Sequence, residues 1–254
     1  MIDLHSHLLP AIDDGSRSLE QSVVVLREMA RRGITDIALT PHVLAGRMAD
    51  GVPPAHDEAF ERLRAVTPPG IALHRGAEVM LDRPVTIAPE LLRRFTLGGS
   101  RYLLVEFPRL VASQAVRQAL TNLVEQGVRP VLAHPERYAC CTPASVRRWK
   151  QTGALMQVDA TTLLSARGRG ERARLLVEAG LADIAAADNH GDDRLIDAVH
   201  EALDRQGGAM QADLLVSRNP RAVLDDRPTE EVPPLRLRRS IVQRIRGLLE
   251  PEDS

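Results

Sequence analysis

Short β-prone segments alternate with longer amphipathic segments along most of this chain. The first three are MIDLHSH, the helix-like SLEQSVVVLREMARRG and ITDIALTPH. This alternation indicates an α/β fold with mostly parallel strands. Together with the two strands in these segments, the later candidates bring the count to about seven, which predicts a closed or nearly closed β/α barrel. The later strand candidates are Ile71 to Glu78, Tyr102 to Glu106, Pro130 to His134, Leu155 to Asp159 and Ala182 to Ala187.

The first helix has clear start and stop signals. Ser18, followed by Glu20 and Gln21, predicts a capped and acidic helix start, and Gly33 predicts its end. At 254 residues with 44% hydrophobic content, the chain can bury one large core. We therefore expect a single barrel domain over residues 1–224.

Charge and composition argue against a nucleic-acid partner. The formal net charge is -1 and aromatic residues make up 2% of the chain. Proteins that bind nucleic acids electrostatically or by base stacking need a basic surface or aromatic platforms. Nucleic acid is therefore not expected as a substrate.

The N-terminus and the cysteines predict a soluble cytoplasmic protein. MIDLHSHLLP lacks a basic leader followed by an apolar core, and no apolar run approaches the roughly 20 residues that span a bilayer. The only cysteines are the neighbours Cys140 and Cys141, which cannot form a disulfide framework across the fold. They suit a reducing cytoplasm.

The chain changes character after Asn219 and Pro220. Residues 225–236 are charged and proline-rich, which predicts a linker. Residues 237–250 place Leu237, Ile241, Ile245 and Leu248 at helical spacing among arginines, which predicts a basic amphipathic helix. We expect this helix to pack on the domain or on a like subunit, while binding to a partner or a membrane surface remains an alternative.

His5 and His7 are the first candidates for metal ligands. They are two residues apart on a predicted strand, so both imidazoles lie on one face, as two ligands of one ion require. A His-x-His pair also occurs on ordinary polar strand faces, and the pair alone leaves both interpretations open.

Further ligand-type residues recur where the later predicted strands end. Strand ends on one rim of a barrel converge in space, and barrel enzymes build their sites there. Nine such residues exceed what one transition ion uses, so we expect two or three ions that share carboxylates. Mixed histidine and carboxylate ligands favour Mn, Fe or Zn, and such a cluster suits hydrolysis of phosphate esters. Besides His5 and His7, the candidates are Asp14, His42, Glu78, Glu106, His134, Asp188 and His190.

The motifs DLHSH, DDG, TPH, GAE, VEF, AHPER and ADNH together resemble the PHP (polymerase and histidinol phosphatase) superfamily, whose fold is a distorted seven-stranded β/α barrel. Within it, the chain looks most like the bacterial manganese-dependent tyrosine-protein phosphatases of capsular and exopolysaccharide loci. The similarity runs from Met1 to about Leu224. The resemblance implies manganese as cofactor and a phosphotyrosine protein, a bacterial tyrosine autokinase, as substrate.

The resemblance also implies roles for individual residues. A first ion would be held by His5, His7, Glu78 and Asp188, a second by Glu78, Glu106 and His134, and a third by Asp14, His42 and His190. Arg137 matches a family arginine that binds the substrate phosphate, which suits a planar two-pronged donor. Arg194 is the candidate for a second phosphate-binding arginine, although its segment is one residue shorter than the family pattern and also contains Asp192 and Asp193.

Three other interpretations compete with this one. Cys141 and Arg147 satisfy the minimal Cys-x5-Arg signature of cysteine-dependent tyrosine phosphatases, but Pro143 removes an amide that a phosphate-binding loop would use. A histidinol-phosphatase-like or other small-molecule phosphoesterase would use the same metal chemistry. A non-enzymatic scaffold with a structural metal cluster is the third, and structural sites usually hold one enclosed ion.

Overall fold

The computed structural model describes residues 1–165 and 168–237. Strands and helices alternate along this part of the chain, as the sequence predicts. The strands are β1 Ile2–Ser6, β2 Asp36–Leu39, β3 His42–Leu44, β4 Ala72–Arg75, β5 Glu78–Met80, β6 Tyr102–Glu106, β7 Arg129–Ala133, β8 Leu155–Asp159 and β9 Ile184–Ala186.

The connections between the strands are mostly helical. A 3-10 helix covers Ala45–Asp50, and a π-helical turn over Leu214–Arg218 joins the two helices nearest the end of the described chain. The α-helices are α1 Leu19–Arg31, α2 Pro54–Ala65, α3 Pro89–Leu92, α4 Ser113–Glu125, α5 Pro143–Lys150, α6 Ala160–Leu164, α7 Arg169–Glu178, α8 Asp197–Asp204, α9 Ala209–Asp213 and α10 Asn219–Leu224.

All strand pairs are parallel, but they form two sheets. The first sheet has the order β1-β2-β4, and the second has the order β3-β5-β6-β7-β8-β9. The prediction of a single closed barrel of about seven strands is thus not confirmed in the described residues, where nine strands lie in two sheets that do not close. A single parallel bridge between Ser6 and Asn189 connects the end of β1 to the segment after β9.

Two chain interruptions explain the higher strand count. Thr40 and Pro41 separate β2 from β3, and Gly76 and Ala77 separate β4 from β5. Proline has no backbone N–H to donate to a strand ladder, and glycine weakens a strand interior. Beyond these breaks the ladder resumes in the second sheet, where His42 is opposite Glu78. The breaks therefore carry two candidate ligands onto neighbouring strands.

The first helix follows its sequence signals. Ser18 has an extended backbone and its hydroxyl accepts a hydrogen bond from Gln21 N at 3.2 Å, which satisfies one of the free amides at the start of α1. Gly33, two residues beyond the last helical residue, has φ +77°, a left-handed conformation that favours glycine. The predicted start and end signals of this helix are confirmed.

On two strands, the face that carries core residues also carries polar site residues at the strand end. On β6, Tyr102 and Leu104 belong to a small apolar cluster, and Glu106 continues the same face at the strand end. On β8, Leu155 belongs to that cluster and Gln157 follows on the same face. The apolar strand interior thus leads directly into polar residues at the carboxyl ends of the strands.

The end of the described chain packs against the domain. No helix or strand is assigned between Pro228 and Leu237, yet Val232, Leu235 and Leu237 are buried in the main apolar cluster. The helix expected over 237–250 lies outside the described residues except for Leu237. Across 1–165 and 168–237, no helix has the length and apolar character needed to span a membrane.

Candidate metal centre

The nine candidate ligands lie together at one rim of the sheets. The carboxyl ends of parallel strands meet at one edge, which is why residues distant in sequence converge there. In the structure, they form four overlapping groups whose ligand atoms lie within 4.8 Å of one another. The groups are His5 with His7 and Asp188; His5 with Glu78 and His134; His42 with Glu78 and Glu106; and His7 with Asp14, His42 and His190.

The buried half of the cluster centres on the carboxylates of Glu78 and Asp188. Glu78 Oε2 lies 3.3 Å from His5 Nε2 and 3.4 Å from His7 Nε2. Asp188 Oδ1 lies 3.2 Å and 3.3 Å from the same two nitrogens. His134 Nε2 lies 2.8 Å from the other Glu78 oxygen, Oε1. These five side chains are at most 4% exposed, so they form the floor of the site.

The open half of the cluster is formed by more exposed side chains. His42 lies between the two halves, with Nδ1 3.1 Å from Glu78 Oε2 and 3.3 Å from Glu106 Oε1. Asp14 Oδ1 is 3.4 Å from His42 Nε2 and 3.5 Å from His190 Nε2. The Asp14 side chain is 70% exposed. The cluster is therefore open to solvent on the side of Asp14.

Neighbouring polar groups orient three of the histidine rings. His5 Nδ1 is 2.9 Å from Gln157 Oε1, and His7 Nδ1 is 2.8 Å from Asp13 Oδ2. His190 Nδ1 is 2.9 Å from the carbonyl oxygen of Asp188. An Nδ1–H donated to each of these oxygens leaves Nε2 of the ring facing the cluster, which is the arrangement found around metal-bound histidines.

The backbone is unusual at the ends of two strands. His134, directly after β7, has φ +32°, and Asp188, shortly after β9, has φ +50°. Left-handed conformations are uncommon for residues other than glycine and tend to cluster at functional sites. Gly15 in the loop after β1 lies so close to His7 that an added Cβ would be 2.0 Å from the His7 carbonyl oxygen. Only glycine fits at this position.

Electrostatics shows an excess of buried negative charge. Burial raises the pKa of Glu78, but the positive charge of His5 and hydrogen bonds from His134 and His42 outweigh it, and the pKa is well below its usual range. Burial lowers the pKa of His42, whereas hydrogen bonds to Glu106 and Glu78 raise it to about 10. Without a cation, the carboxylates would thus draw protons onto the histidines.

The donor set fits a cluster of divalent metal ions. Within the described ranges, Glu78 Oε2 and Asp188 Oδ1 are buried, and neither accepts a hydrogen bond of normal geometry from the nitrogens around it. Their 3.2–3.4 Å separations from the imidazole nitrogens of His5 and His7 match the spacing of two atoms bound to one ion. Bonds of about 2.1 Å place neighbouring ligand atoms roughly 3.0–3.4 Å apart. Four groups that share residues suit more than one ion.

The two predicted arginines lie beside this centre. Arg137 Nη2 donates a hydrogen bond to Asp159 Oδ2 at 2.8 Å and another to Asp188 Oδ2. Arg194 donates to Asp192 from Nε at 2.8 Å and pairs with it through Nη2 at 2.7 Å. Burial lowers the pKa of Arg194, but Asp192 and then Asp188 and Asp159 raise it above its usual value. Both guanidinium groups are therefore charged near the cluster.

Several polar residues of the site are not identified by the sequence reasoning. Asp13 orients His7, Gln157 orients His5, and Asp159 binds Arg137. Glu136 is fully buried and accepts a hydrogen bond from Asp159 N at 2.7 Å. Alternation along β8 is the signal that would reveal Gln157 and Asp159, since both interrupt an apolar strand on one face.

The cysteine alternative does not match the geometry. Cys141 is 5% exposed, and burial, helped by the charge of Glu136, raises the pKa of its thiol to about 12. A nucleophilic cysteine needs an accessible thiolate, usually through a lowered pKa. Arg147 lies on the exposed side of α5, and the Thr142 hydroxyl caps that helix by accepting from Ser145 N. The Cys-x5-Arg segment is thus an ordinary helix start.

The chain is similar in sequence to known proteins over most of its length. The family profile described as "Capsular polysaccharide synthesis, CpsB/CapC" matches residues 1–225. The tyrosine-protein phosphatase CpsB of Streptococcus pneumoniae is 30% identical over 241 residues, which cover 89% of this chain and 99% of the relative. The tyrosine-protein phosphatase YwqE of Bacillus subtilis is 32% identical over 197 residues, which cover 75% of this chain and 77% of the relative.

A solved structure gives similarity in three dimensions. It comes from crystallographic work on YwqE from Bacillus subtilis and CpsB from Streptococcus pneumoniae, described as unique metal-dependent tyrosine phosphatases. The TM-score is 0.75 at 27% sequence identity, and the match covers 94% of this chain and 100% of that one. The two chains therefore share one fold over nearly their whole length.

Proposed function

Because the chain belongs to the CpsB/CapC family of capsular polysaccharide synthesis proteins, we propose that it is a manganese-dependent protein-tyrosine phosphatase. Its substrate is a phosphotyrosine protein, for which a tyrosine autokinase of polysaccharide synthesis is the expected candidate. It acts in the cytoplasm. The relatives CpsB and YwqE are named tyrosine-protein phosphatases, which supports the choice of substrate.

The observation that carries the proposal is the cluster of nine ligand-type side chains beside two arginines. Four carboxylates, those of Asp14, Glu78, Glu106 and Asp188, converge with five histidines within reach of shared ions. Histidine nitrogen together with carboxylate oxygen suits manganese, with iron or zinc as alternatives. Two or three such ions, when bound, activate water near neutral pH and stabilise negative charge on phosphoryl oxygens.

The residues of the chain have separate tasks in this proposal. The histidines and carboxylates of the cluster hold the ions. Asp13 and Gln157 hold the rings of His7 and His5 in one orientation. Arg137 and Arg194 bind the phosphoryl group through charged hydrogen bonds. The tyrosine phenolate leaves readily because its parent pKa is near 10, so the site needs no strong general acid.

We further infer that both sheets act as one distorted seven-stranded barrel over residues 1–224. Joining β2 to β3 and β4 to β5 across their two-residue breaks gives seven continuous strands. The Ser6–Asn189 bridge and the hydrogen bond from His7 N to Asn189 O at 2.8 Å support contact between the first strand and the last.

The test is phosphatase activity on a phosphotyrosine peptide and on an aryl phosphate, with and without chelator and added manganese. Wild type is compared with His134→Ala, which removes a candidate ligand, and with Cys141→Ser as the matched control. We expect chelator to abolish the activity of wild type and added manganese to restore it. Of the two variants, Cys141→Ser should remain active and His134→Ala should not. Chelator-resistant activity that disappears with Cys141 would refute the metal mechanism. Turnover of histidinol phosphate in place of phosphotyrosine would reassign the substrate.

A further inference from the structure

Arg137 is fixed by one of its terminal nitrogens. Nη2 donates both of its observed hydrogen bonds, one to Asp159 Oδ2 at 2.8 Å and one to Asp188 Oδ2. Nε is buried and has no hydrogen-bond partner among residues 1–165 and 168–237. The side chain is 28% exposed. The guanidinium group is thus anchored at one end, and Nη1 is the terminal nitrogen left for a ligand.

Asp159 is itself held rigidly at the end of β8. It is 2% exposed, and its backbone N–H donates to Glu136 Oε1 at 2.7 Å. Its Oδ1 caps α6 by accepting from Thr161 N at 2.9 Å and Thr162 N at 3.0 Å, and it also accepts from the Thr161 hydroxyl at 2.8 Å. The two carboxylate oxygens have different partners: Oδ1 accepts hydrogen bonds from the start of α6, and Oδ2 accepts one from Arg137.

The charge of Asp159 fits this role. Burial raises its pKa, but the hydrogen bond from Thr162 N and the charge and hydrogen bond of Arg137 outweigh burial and lower the pKa below its usual value. The group is therefore an anion at neutral pH, and its bond to Arg137 is a charged hydrogen bond in a mostly buried setting. Such bonds fix side-chain orientation more strongly than neutral ones.

We propose that Asp159 is a positioning residue that anchors Arg137 so that Nη1 is presented to the phosphoryl group of the substrate. The inference rests on the proposed function, because it assumes that Arg137 binds phosphate. Asp159 also shares Nη2 with Asp188, a candidate metal ligand. Without Asp159, the bond to Asp188 would be the remaining anchor of Nη2, and the guanidinium group would lose its second fixed point.

Asp159→Asn removes the bond to Arg137 while keeping the cap of α6. The amide oxygen of asparagine takes the place of Oδ1, because the backbone amides of α6 require an acceptor there. The amide nitrogen then faces Arg137 Nη2, so two donors meet and the anchoring bond is lost. Thr161→Val is the matched control, since it removes the hydroxyl bond to the same carboxylate without altering a contact of Arg137.

The experiment measures phosphate affinity by calorimetry and KM for an aryl phosphate, on proteins loaded to equal manganese content. We expect Asp159→Asn to weaken inorganic phosphate binding and to raise KM by about tenfold to a hundredfold, as for a lost charged hydrogen bond. Thr161→Val should lower the melting temperature while leaving phosphate affinity within about twofold of wild type. Equal weakening of phosphate binding in Thr161→Val would overturn the proposal.

A double-mutant cycle with Arg137→Ala decides whether Asp159 acts through Arg137. We expect Asp159→Asn to have no further effect on phosphate affinity once Arg137 is absent. Effects that multiply in the double variant would show that Asp159 acts independently, and the proposal would be wrong. If wild type binds phosphate but does not turn over phosphotyrosine, the proposed function fails and the cycle still tests Asp159. Absence of phosphate binding in wild type would overturn the anchoring proposal, and phosphotyrosine turnover would still decide the proposed function.

Discussion

Asp13 joins two candidate ligands of the metal centre through one carboxylate oxygen. Its Oδ2 lies 2.8 Å from His7 Nδ1 and accepts a hydrogen bond from the backbone nitrogen of His42 at 3.1 Å. Burial raises the pKa of Asp13, but the hydrogen bond and charge of His7 lower it to about 2, so the group stays ionised. One side chain therefore orients ligands from two different strands.

We expect Asp13→Ala to weaken manganese binding by about tenfold to a hundredfold, because the His7 ring loses the partner that fixes its orientation. Titration of metal-free protein with manganese in competition with a fluorescent chelator measures the affinity. Asp193→Ala, at an exposed carboxylate beyond the cluster, is the control and should bind manganese as wild type does. Unchanged affinity in Asp13→Ala would remove Asp13 from the metal site.

Gly15→Ala should damage the site through backbone contact. An added Cβ would lie 2.0 Å from the His7 carbonyl oxygen and 2.4 Å from His7 Cβ, so the loop or the strand must move. We expect a loss of about 1–3 kcal/mol in the free energy of unfolding, together with weaker manganese binding. Gly207→Ala, at a position with left-handed φ but open space around it, should lose stability while retaining manganese affinity. Chemical denaturation and metal titration of both variants distinguish the two effects.

The two arginines should contribute unequally to substrate binding. Arg194 pairs with the exposed Asp192, whereas Arg137 is bonded to the buried Asp159 and to the candidate ligand Asp188. We expect Arg137→Ala to lower kcat/KM for an aryl phosphate by about a hundredfold with manganese retained, and Arg194→Ala to lower it by less than about tenfold. Arg147→Ala, on the exposed side of α5, should match wild type. A larger loss in Arg194→Ala would reverse the assignment.

The Cys141 thiol should be unreactive in the folded protein. Its pKa is raised to about 12, above the usual value of 9.0, so the thiolate fraction near pH 8 is far smaller in the folded state than in the unfolded state. We expect iodoacetamide at pH 8 to leave Cys141 unmodified in native protein and to modify it in denaturant, as read by peptide mass spectrometry. Rapid native alkylation at Cys141 with loss of phosphatase activity would reopen the cysteine mechanism.

The position of a C-terminal truncation should decide its effect on stability. A chain that ends at Leu237 keeps the packing contacts among the described residues, whereas a chain that ends at Arg227 loses the buried side chains of Val232, Leu235 and Leu237. We expect the shorter chain to lose about 4.5–9 kcal/mol of unfolding free energy, at roughly 1.5–3 kcal/mol for each of the three buried apolar side chains. Urea denaturation measures the difference. Turnover of a small aryl phosphate by the longer truncation should equal that of the full chain.

The sequence predicts the location of the candidate ligands better than it predicts the sheet. Histidines and carboxylates that directly follow apolar runs, such as Glu106 and His134, mark strand ends because the preceding residues must build a core strand. The residue types at Pro41 and Gly76 indicate that a strand breaks there. Which strands pair beyond each break depends on contacts between distant parts of the chain, and no local pattern encodes them.

The polar residues around the ligands were harder to predict. Asp13 and Asp14 are neighbours of the same type, and only the fold shows that one faces His7 Nδ1 while the other lies at the exposed edge. Likewise, the pairing of Arg137 with Asp159 joins residues 22 positions apart through side-chain geometry. Local sequence supplies the functional groups, and tertiary packing assigns their partners.

The unequal depth of the candidate ligands implies ions of unequal lability. Side-chain exposure rises from 0% at His5 and His7 to 38% at His42 and 70% at Asp14. An ion held on the Asp14 side would exchange with solvent quickly, whereas one enclosed by Glu78 and its buried neighbours would leave only when the site opens. Removal of metal by a chelator should therefore proceed in a fast and a slow phase. The metal content of purified protein would then depend on how the sample was prepared as well as on its affinity for metal.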